Sequence, residues 1–262
     1  MAYKFDIDLE FLRELKNEEL NDLVSIITHD KDGSARWTEL LSVSELYKTH
    51  YPNHQKYLNL ILEEIQKFGG NSLANVFRGS GILYKEILCD VADKYKVNYN
   101  RKADTELIET NLFMKILETS LDKMSQEDIK TISQELDLRL TNFDKQALMA
   151  SLQILIKQSL IIPFVINRTI LMGIGCIPPI ITGGSILAGT ALGRVVTIFT
   201  GPIGWAITGA WTAIDLAGPA YRVTMPLVIQ IAFLRQLYKA KPKGININSI
   251  VGGFEKIKNN EK

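Results

Sequence analysis

The chain has 262 residues, 46% of them hydrophobic and 23% charged, with 30 Lys+Arg against 29 Asp+Glu and a formal net charge of +1. These totals exclude a disordered chain, a collagen-like repeat and a small cysteine scaffold, and near-neutrality excludes a broad basic nucleic-acid footprint. The average conceals three regions: residues 1–157 hold 20 basic and 26 acidic side chains, residues 158–234 hold four charges, and residues 235–262 hold seven basic and two acidic.

Met1 to Glu10 carries acidic residues where a secretory signal needs an apolar run, so the chain is expected to begin in the cytosol. Cys89 and Cys176 are too few for a disulfide framework and fit a reducing compartment. Leu9, Leu12, Leu15, Leu20, Leu23, Val24 and Ile27 recur at helical spacing, with Asn17 able to cap a second short helix. Asp30-Lys31-Asp32-Gly33 reads as a turn. Pro52-Asn53 opens a predicted helix with Tyr57, Leu58, Ile61, Leu62 and Ile65 on its apolar stripe, and Gly69-Gly70 is expected to end it near Phe68. Leu83–Val97 and Thr105–Leu121 repeat the helical pattern, and Ser125 with Asp128 resembles a capping box. A further helix is predicted to begin near Asp144. No window of the first half alternates with period two, so no sheet is expected there.

Beyond about Ala147 the polar face disappears. Residues 158–234 contain 10 of the 18 glycines and 6 of the 8 prolines, and their only charges are Arg168, Arg194, Asp215 and Arg222. Thr169–Gly193 is uncharged over 25 residues and Val195–Ile214 over 20, the length at which an apolar helix can span a bilayer. Two readings are open. In one the block enters a membrane, with Arg235, Lys239, Lys241 and Lys243 as its cytoplasmic basic flank. In the other it is a core hairpin sheathed by the amphipathic helices of the first half. Charges inside such a block are costly unless paired. Asp215 with Arg194 or Arg222 therefore offers either a buried bridge or an ion pathway.

Other chemistry is thinly represented. Asp30, Asp32 and Glu39 fall at positions three, five and twelve of a calcium-loop register that begins at Thr28, where an aspartate is expected. His50 and His54 have a spacing found in zinc sites, but Pro52 between them prevents a regular helical pair. These five residues are the metal candidates, set against a polar turn and a helix start. The glycine turns at Gly69-Gly70 and Arg78-Gly79-Ser80-Gly81 match no nucleotide fingerprint and read as helix joints. No catalytic or cofactor-binding residue emerges, and no cofactor is expected.

His50-Tyr-Pro-Asn-His-Gln-Lys-Tyr57, Phe68-Gly-Gly-Asn-Ser-Leu-Ala-Asn75, Leu83-Tyr-Lys-Glu-Ile-Leu88, Lys96-Val-Asn-Tyr-Asn100, Gly201-Pro-Ile-Gly-Trp-Ala-Ile207 and Ala220-Tyr-Arg-Val-Thr224 together resemble the YaaW-type family of bacterial proteins. Residues 1–35, with Phe5-Asp-Ile-Asp-Leu-Glu-Phe-Leu12, resemble the short segment that often precedes that family's main domain. The resemblance implies a ubiquinol–cytochrome c chaperone-like domain, and through it an assembly role in respiration. It brings no catalytic residues.

The expectation is an all-α protein in four parts. These are a short N-terminal helical segment (1–40), an amphipathic helical domain (41–157), an apolar helical hairpin block (158–238) and a basic flexible tail (239–262). The expected function is non-enzymatic and cytoplasmic, associated with the inner membrane through the apolar block and partnered by its lipid or by a membrane protein. The alternative is a soluble chaperone-like or assembly-factor module whose apolar block is a buried core.

Overall fold

Every described element longer than a turn is a helix, and several begin where a nearby side chain offers a partner for free backbone amides. The computed structural model describes residues 3–29, 40–72, 82–122, 124–135, 142–158 and 221–241, together with positions 34, 36, 38, 138, 140 and 167. A 3-10 turn at Glu10–Glu14 leads to helix α1 (Asn17–Thr28), where the Lys16 amide donates to the Glu19 carboxylate at 2.7 Å. Helix α2 (Glu45–His50) is capped by Ser44, whose hydroxyl accepts from the Leu46 amide at 3.2 Å. Ahead of α6 (Gln126–Glu135), the expected capping box forms. The Ser125 amide donates to Asp128 Oδ2 at 2.9 Å, and the Asp128 amide returns to Ser125 Oγ at 3.1 Å. Asp144 starts α7 (Lys145–Gln158) by accepting from the Ala147 amide at 2.7 Å.

Three elements depart from the sequence reading. The helix expected from Pro52 to Phe68 is a 3-10 turn, His54–Tyr57, followed by α3 (Leu58–Ser72). Helix α3 runs through Gly69 and Gly70 instead of stopping there, since glycine costs a helix about 1 kcal/mol and does not forbid it. Helix α4 (Tyr84–Lys94) ends earlier than predicted. Lys96 takes a positive φ of 54° just past it, the left-handed stop usually given to glycine. Helix α5 (Thr105–Leu121) has the expected limits. Asn17 does not cap α1: its side-chain oxygen accepts the Gln55 amide at 3.0 Å, tying α1 to the turn before α3.

The core is built around the last described helix, α8 (Tyr221–Ala240), which touches α1, α3, α4, α5 and the Glu10–Glu14 turn. Val223 to Leu234 are buried without interruption, so the helix is enclosed on all sides. Leu20, Leu23 and Ile27 of α1, Ile61 and Ile65 of α3, Ile87, Leu88 and Val91 of α4, and Leu112 and Ile116 of α5 belong to the same cluster. The final apolar run of the chain is therefore sheathed by the amphipathic helices of the first half. Among the described residues no helix is long and apolar enough to cross a membrane. Arg194 and Asp215 lie outside the described residues. Arg222 stands in the first turn of α8, and its side chain is likewise outside them.

One contact extends this body past α7. Asn167 is helical and 1% exposed, and its amide donates to Gln230 Oε1 in the middle of α8 at 2.9 Å. Two amides meeting in an apolar interior specify one register, because any slip leaves both without partners.

Enclosure of α8 predicts that truncating its core side chains is expensive. Leu234→Ala, at a position with 0% exposure, is expected to cost about 2–5 kcal/mol in urea unfolding of the full chain. Ile7→Ala, at 74% exposure, should stay within about 0.5 kcal/mol.

Candidate functional site

The histidines are drawn into the fold. His54 is 1% exposed; its Nδ1 lies 2.5 Å from the Tyr57 hydroxyl and its Nε2 lies 2.7 Å from Asn21 Oδ1. An amide oxygen only accepts, so Nε2 carries the proton and Nδ1 accepts from Tyr57. Burial lowers the pKa of the imidazole and keeps it neutral, while burial raises the Tyr57 hydroxyl well above the ordinary tyrosine range. With both ring nitrogens engaged, His54 has no lone pair for a metal. His50 ends α2, on a different element, and the Tyr47, Tyr51, His54 and Tyr57 rings pack edge to face at centroid distances of 5.5–5.8 Å. Asp30, Asp32 and Glu39 lie outside the described residues. Among those described, no three His, Cys, Asp or Glu side chains are grouped to hold a metal ion.

The densest polar chemistry lies where the N-terminal segment, α4, α5 and α8 meet. Glu109 of α5 is 1% exposed, and Arg235 of α8 places Nε 2.9 and 3.1 Å from its two oxygens. Arg235 Nη2 donates to the Asp8 carbonyl at 2.8 Å, and its guanidinium lies 4.7 Å from the Phe11 ring centroid and 5.7 Å from that of Tyr84. The Tyr84 hydroxyl donates to Glu109 Oε1 at 2.7 Å, with the Val228 carbonyl a longer alternative at 3.3 Å. Asp6 completes the junction. Its Oδ2 accepts the Tyr84 amide at 2.6 Å and its Oδ1 the Asp8 amide at 3.0 Å, so a residue far away in sequence caps α4.

Burial pushes the Glu109 carboxyl upward, and Arg235 and the Tyr84 hydroxyl pull it back. Burial opposes the charge on Arg235, but Glu109, Tyr84 and Asp8 together outweigh it and raise the guanidinium pKa. The Tyr84 hydroxyl is raised well above its usual range, chiefly by burial and then by the Glu109 charge. Every hydrogen-bonding group named here already faces another part of the chain. The junction ties together segments that are distant in sequence.

Around it, side chains with no sequence signature grip the N-terminal segment. Gln66 exchanges two hydrogen bonds with the Lys4 backbone, at 3.0 and 2.8 Å, and Gln55 donates to the Leu12 and Leu15 carbonyls at 3.1 and 2.6 Å. Buried Glu64 accepts the Leu40 and Leu41 amides at 2.9 and 3.0 Å. Of the basic flank expected at a membrane surface, three members are engaged in the same way, and Lys243 lies outside the described residues. Besides Arg235, Lys239 pairs with Glu106, and Lys241 lies 2.7 Å from Glu19. On the outside, α5 and α7 border an open groove of about 560 Å³, lined by Met114, Leu121 and Met149 together with Glu118, Asp122 and Lys145.

Comparison with known proteins places this architecture. Residues 3–37 match the family described as a domain of unknown function, DUF3944, over the segment expected at 1–35. A UPF0174 protein of Helicobacter pylori strain J99 is 45% identical over 262 residues, covering 95% of this chain and 100% of its own. Another from H. pylori strain 26695 is 43% identical over 214 residues, 78% of this chain and 99% of its own. UPF0174 protein YaaW of Escherichia coli K12 is 32% identical over 247 residues, 91% of this chain and 97% of its own. These relatives show the YaaW-like family; their names make no mention of a ubiquinol–cytochrome c chaperone. No solved structure matches the chain significantly. The chain belongs to the UPF0174 family.

The Glu109–Arg235 pair predicts a characteristic asymmetry. Arg235→Met alone, which leaves Glu109 buried without its cation, is expected to cost about 3–5 kcal/mol. The double variant Glu109→Leu/Arg235→Met should recover most of that loss in the same urea titration, because both desolvation penalties vanish together.

Proposed function

We propose that this UPF0174 protein is a non-enzymatic helical scaffold attached to the inner membrane by residues 168–220, which leave one helical body and return to it. The observation that carries this reading is that both ends of the stretch are tethered to the same core: Asn167 to Gln230, and Tyr221 as the first residue of α8. Between them lie 53 residues whose only charges are Arg168, Arg194 and Asp215.

A body that holds both ends requires an even number of crossings. The uncharged runs Thr169–Gly193 and Val195–Ile214 supply two, each at or above the roughly 20 residues a span needs. Prolines and glycines within them are tolerated where a neighbouring span satisfies the freed backbone groups. The non-enzymatic part is supported by the buried polar side chains: His54, Tyr84, Glu109 and Arg235 are all engaged in holding helices together. The partner is inner-membrane lipid or a membrane protein that accepts the same apolar surface.

A specific observation favours the alternative, an assembly-factor module with a wholly internal block. The run Val223–Leu234 is as apolar as the rest and is fully sheathed by the body.

Fractionation separates the two. After a carbonate wash, the full-length chain is expected in the membrane pellet, and Cys176 within the block should resist a membrane-impermeant maleimide until detergent is added. Cys89 is 4% exposed and does not confuse the assay. Complete recovery in the soluble fraction would sink the inserted form and leave the internal block.

A further inference from the structure

We propose that Asp90 is a proton-linked latch on the first turns of α8, opposing their docking when charged and permitting it when neutral. The point at which the chain rejoins the body after residue 220 would then tighten and loosen with pH. This inference holds whether or not residues 168–220 enter a bilayer.

The geometry supplies a carboxylate with nothing to satisfy it. Asp90 Oδ2 has less than 1 Å² of accessible surface and no hydrogen-bond partner. Its own helix worsens its position, since Glu86 and Asp93 lie four residues before and three after it, on the same face of α4. The described cation that acts on it is engaged elsewhere: Arg101 Nη2 is bonded to Asp93 Oδ2, and Asp93 Oδ1 takes the Tyr99 hydroxyl at 2.7 Å.

Helix α8 packs against α4 at this end. The Lys94 ammonium stands 5.3 Å from the centroid of the Tyr221 ring, and the Tyr221 hydroxyl is raised by burial and then by the charges of Asp90 and Asp93. Arg222 occupies the same turn of α8. Among the described residues, the charges acting on the Asp90 carboxyl are Arg101, Asp93 and Glu86; α3 and α5 contribute none.

Burial, reinforced by Asp93 and Glu86 and opposed by Arg101, raises the Asp90 carboxyl from 3.8 to about 6. The docked state therefore holds this proton more tightly than an opened one does. Docking gains its full benefit below the ordinary carboxylate pKa and loses it as pH rises through about 6. The side chain is half-buried, so solvent screening removes part of the effect.

Hydrogen exchange of the full-length chain tests this, read in peptides covering residues 221–228 and, for reference, 17–28 of α1. With intrinsic rates divided out, residues 221–228 should be roughly 5- to 10-fold better protected at about pH 5 than at about pH 7.5. Protection of α1 should not change. Asp90→Asn should show the higher protection of 221–228 at both pH values. The latch is refuted by a wild-type chain with no pH dependence at 221–228, by the same dependence in Asp90→Asn, or by an equal change in α1.

Discussion

The fold depends on a charge that has been carried out of water. Arg235 sits in the last turns of a helix whose preceding twelve residues are uncharged and buried, and its guanidinium is satisfied by Glu109, the Asp8 carbonyl and two aromatic faces. Desolvating two ions costs several kcal/mol each, so the pair is a weak net stabiliser. Its worth lies in specificity: only one arrangement of four distant segments lets both ions be satisfied together. Asp6 adds to this by capping α4 from the N-terminal segment. Within the segment that matches the 3–37 family, the described residues Leu9, Leu12, Leu20, Leu23 and Ile27 are thus built into the core.

The same principle explains the uneven charge of the chain. The acidic excess of the first 157 residues and the basic excess after residue 234 meet within one molecule. Arg235 with Glu109 and Lys239 with Glu106 form a ladder in which numbers rise along α8 and fall along α5, as antiparallel helices require. Lys241 with Glu19 extends it to α1. The exposed rungs contribute little individually. Together they specify where the C-terminal end of α8 rests.

Much of this was legible in the sequence, and the boundary is physical. Helix positions follow from local periodicity and capping chemistry, so Thr105–Leu121 and the Ser125–Asp128 box could be read directly. The glycine stop at Gly69-Gly70 could not, because a glycine's conformation is decided by what lies beyond it, and α3 continues to Ser72. Glu64, Gln66 and Gln55 look like ordinary surface residues on amphipathic helices; their partners are backbone groups 23 to 62 positions away. His54 shows the same limit from the other side. Its spacing from His50 leaves a metal ligand and a polar helix start both open, and its roles are set by Asn21 and Tyr57, which no ligand motif includes.

Apolarity alone does not decide whether a segment joins the core or seeks another solvent. Helix α8 and residues 168–220 are alike in composition, yet α8 carries polar groups at intervals that match partners on the body. These are Tyr221 under Lys94, Gln230 opposite Asn167, and then Arg235, Lys239 and Lys241 within two turns. Each costs a helix in hydrocarbon, and the buried ones, Gln230 and Arg235, are paired in a water-excluded protein interface, so together they favour the core for α8. Arg168, Arg194 and Asp215 are separated by 26 and 21 residues, about one span apart, so none of them falls inside an uncharged run. A stretch marked only at its ends and its middle gives a protein core little to specify and gives a bilayer little to reject. Spacing of the few charges, more than their number, sets the sequence of residues 168–220 apart from that of α8.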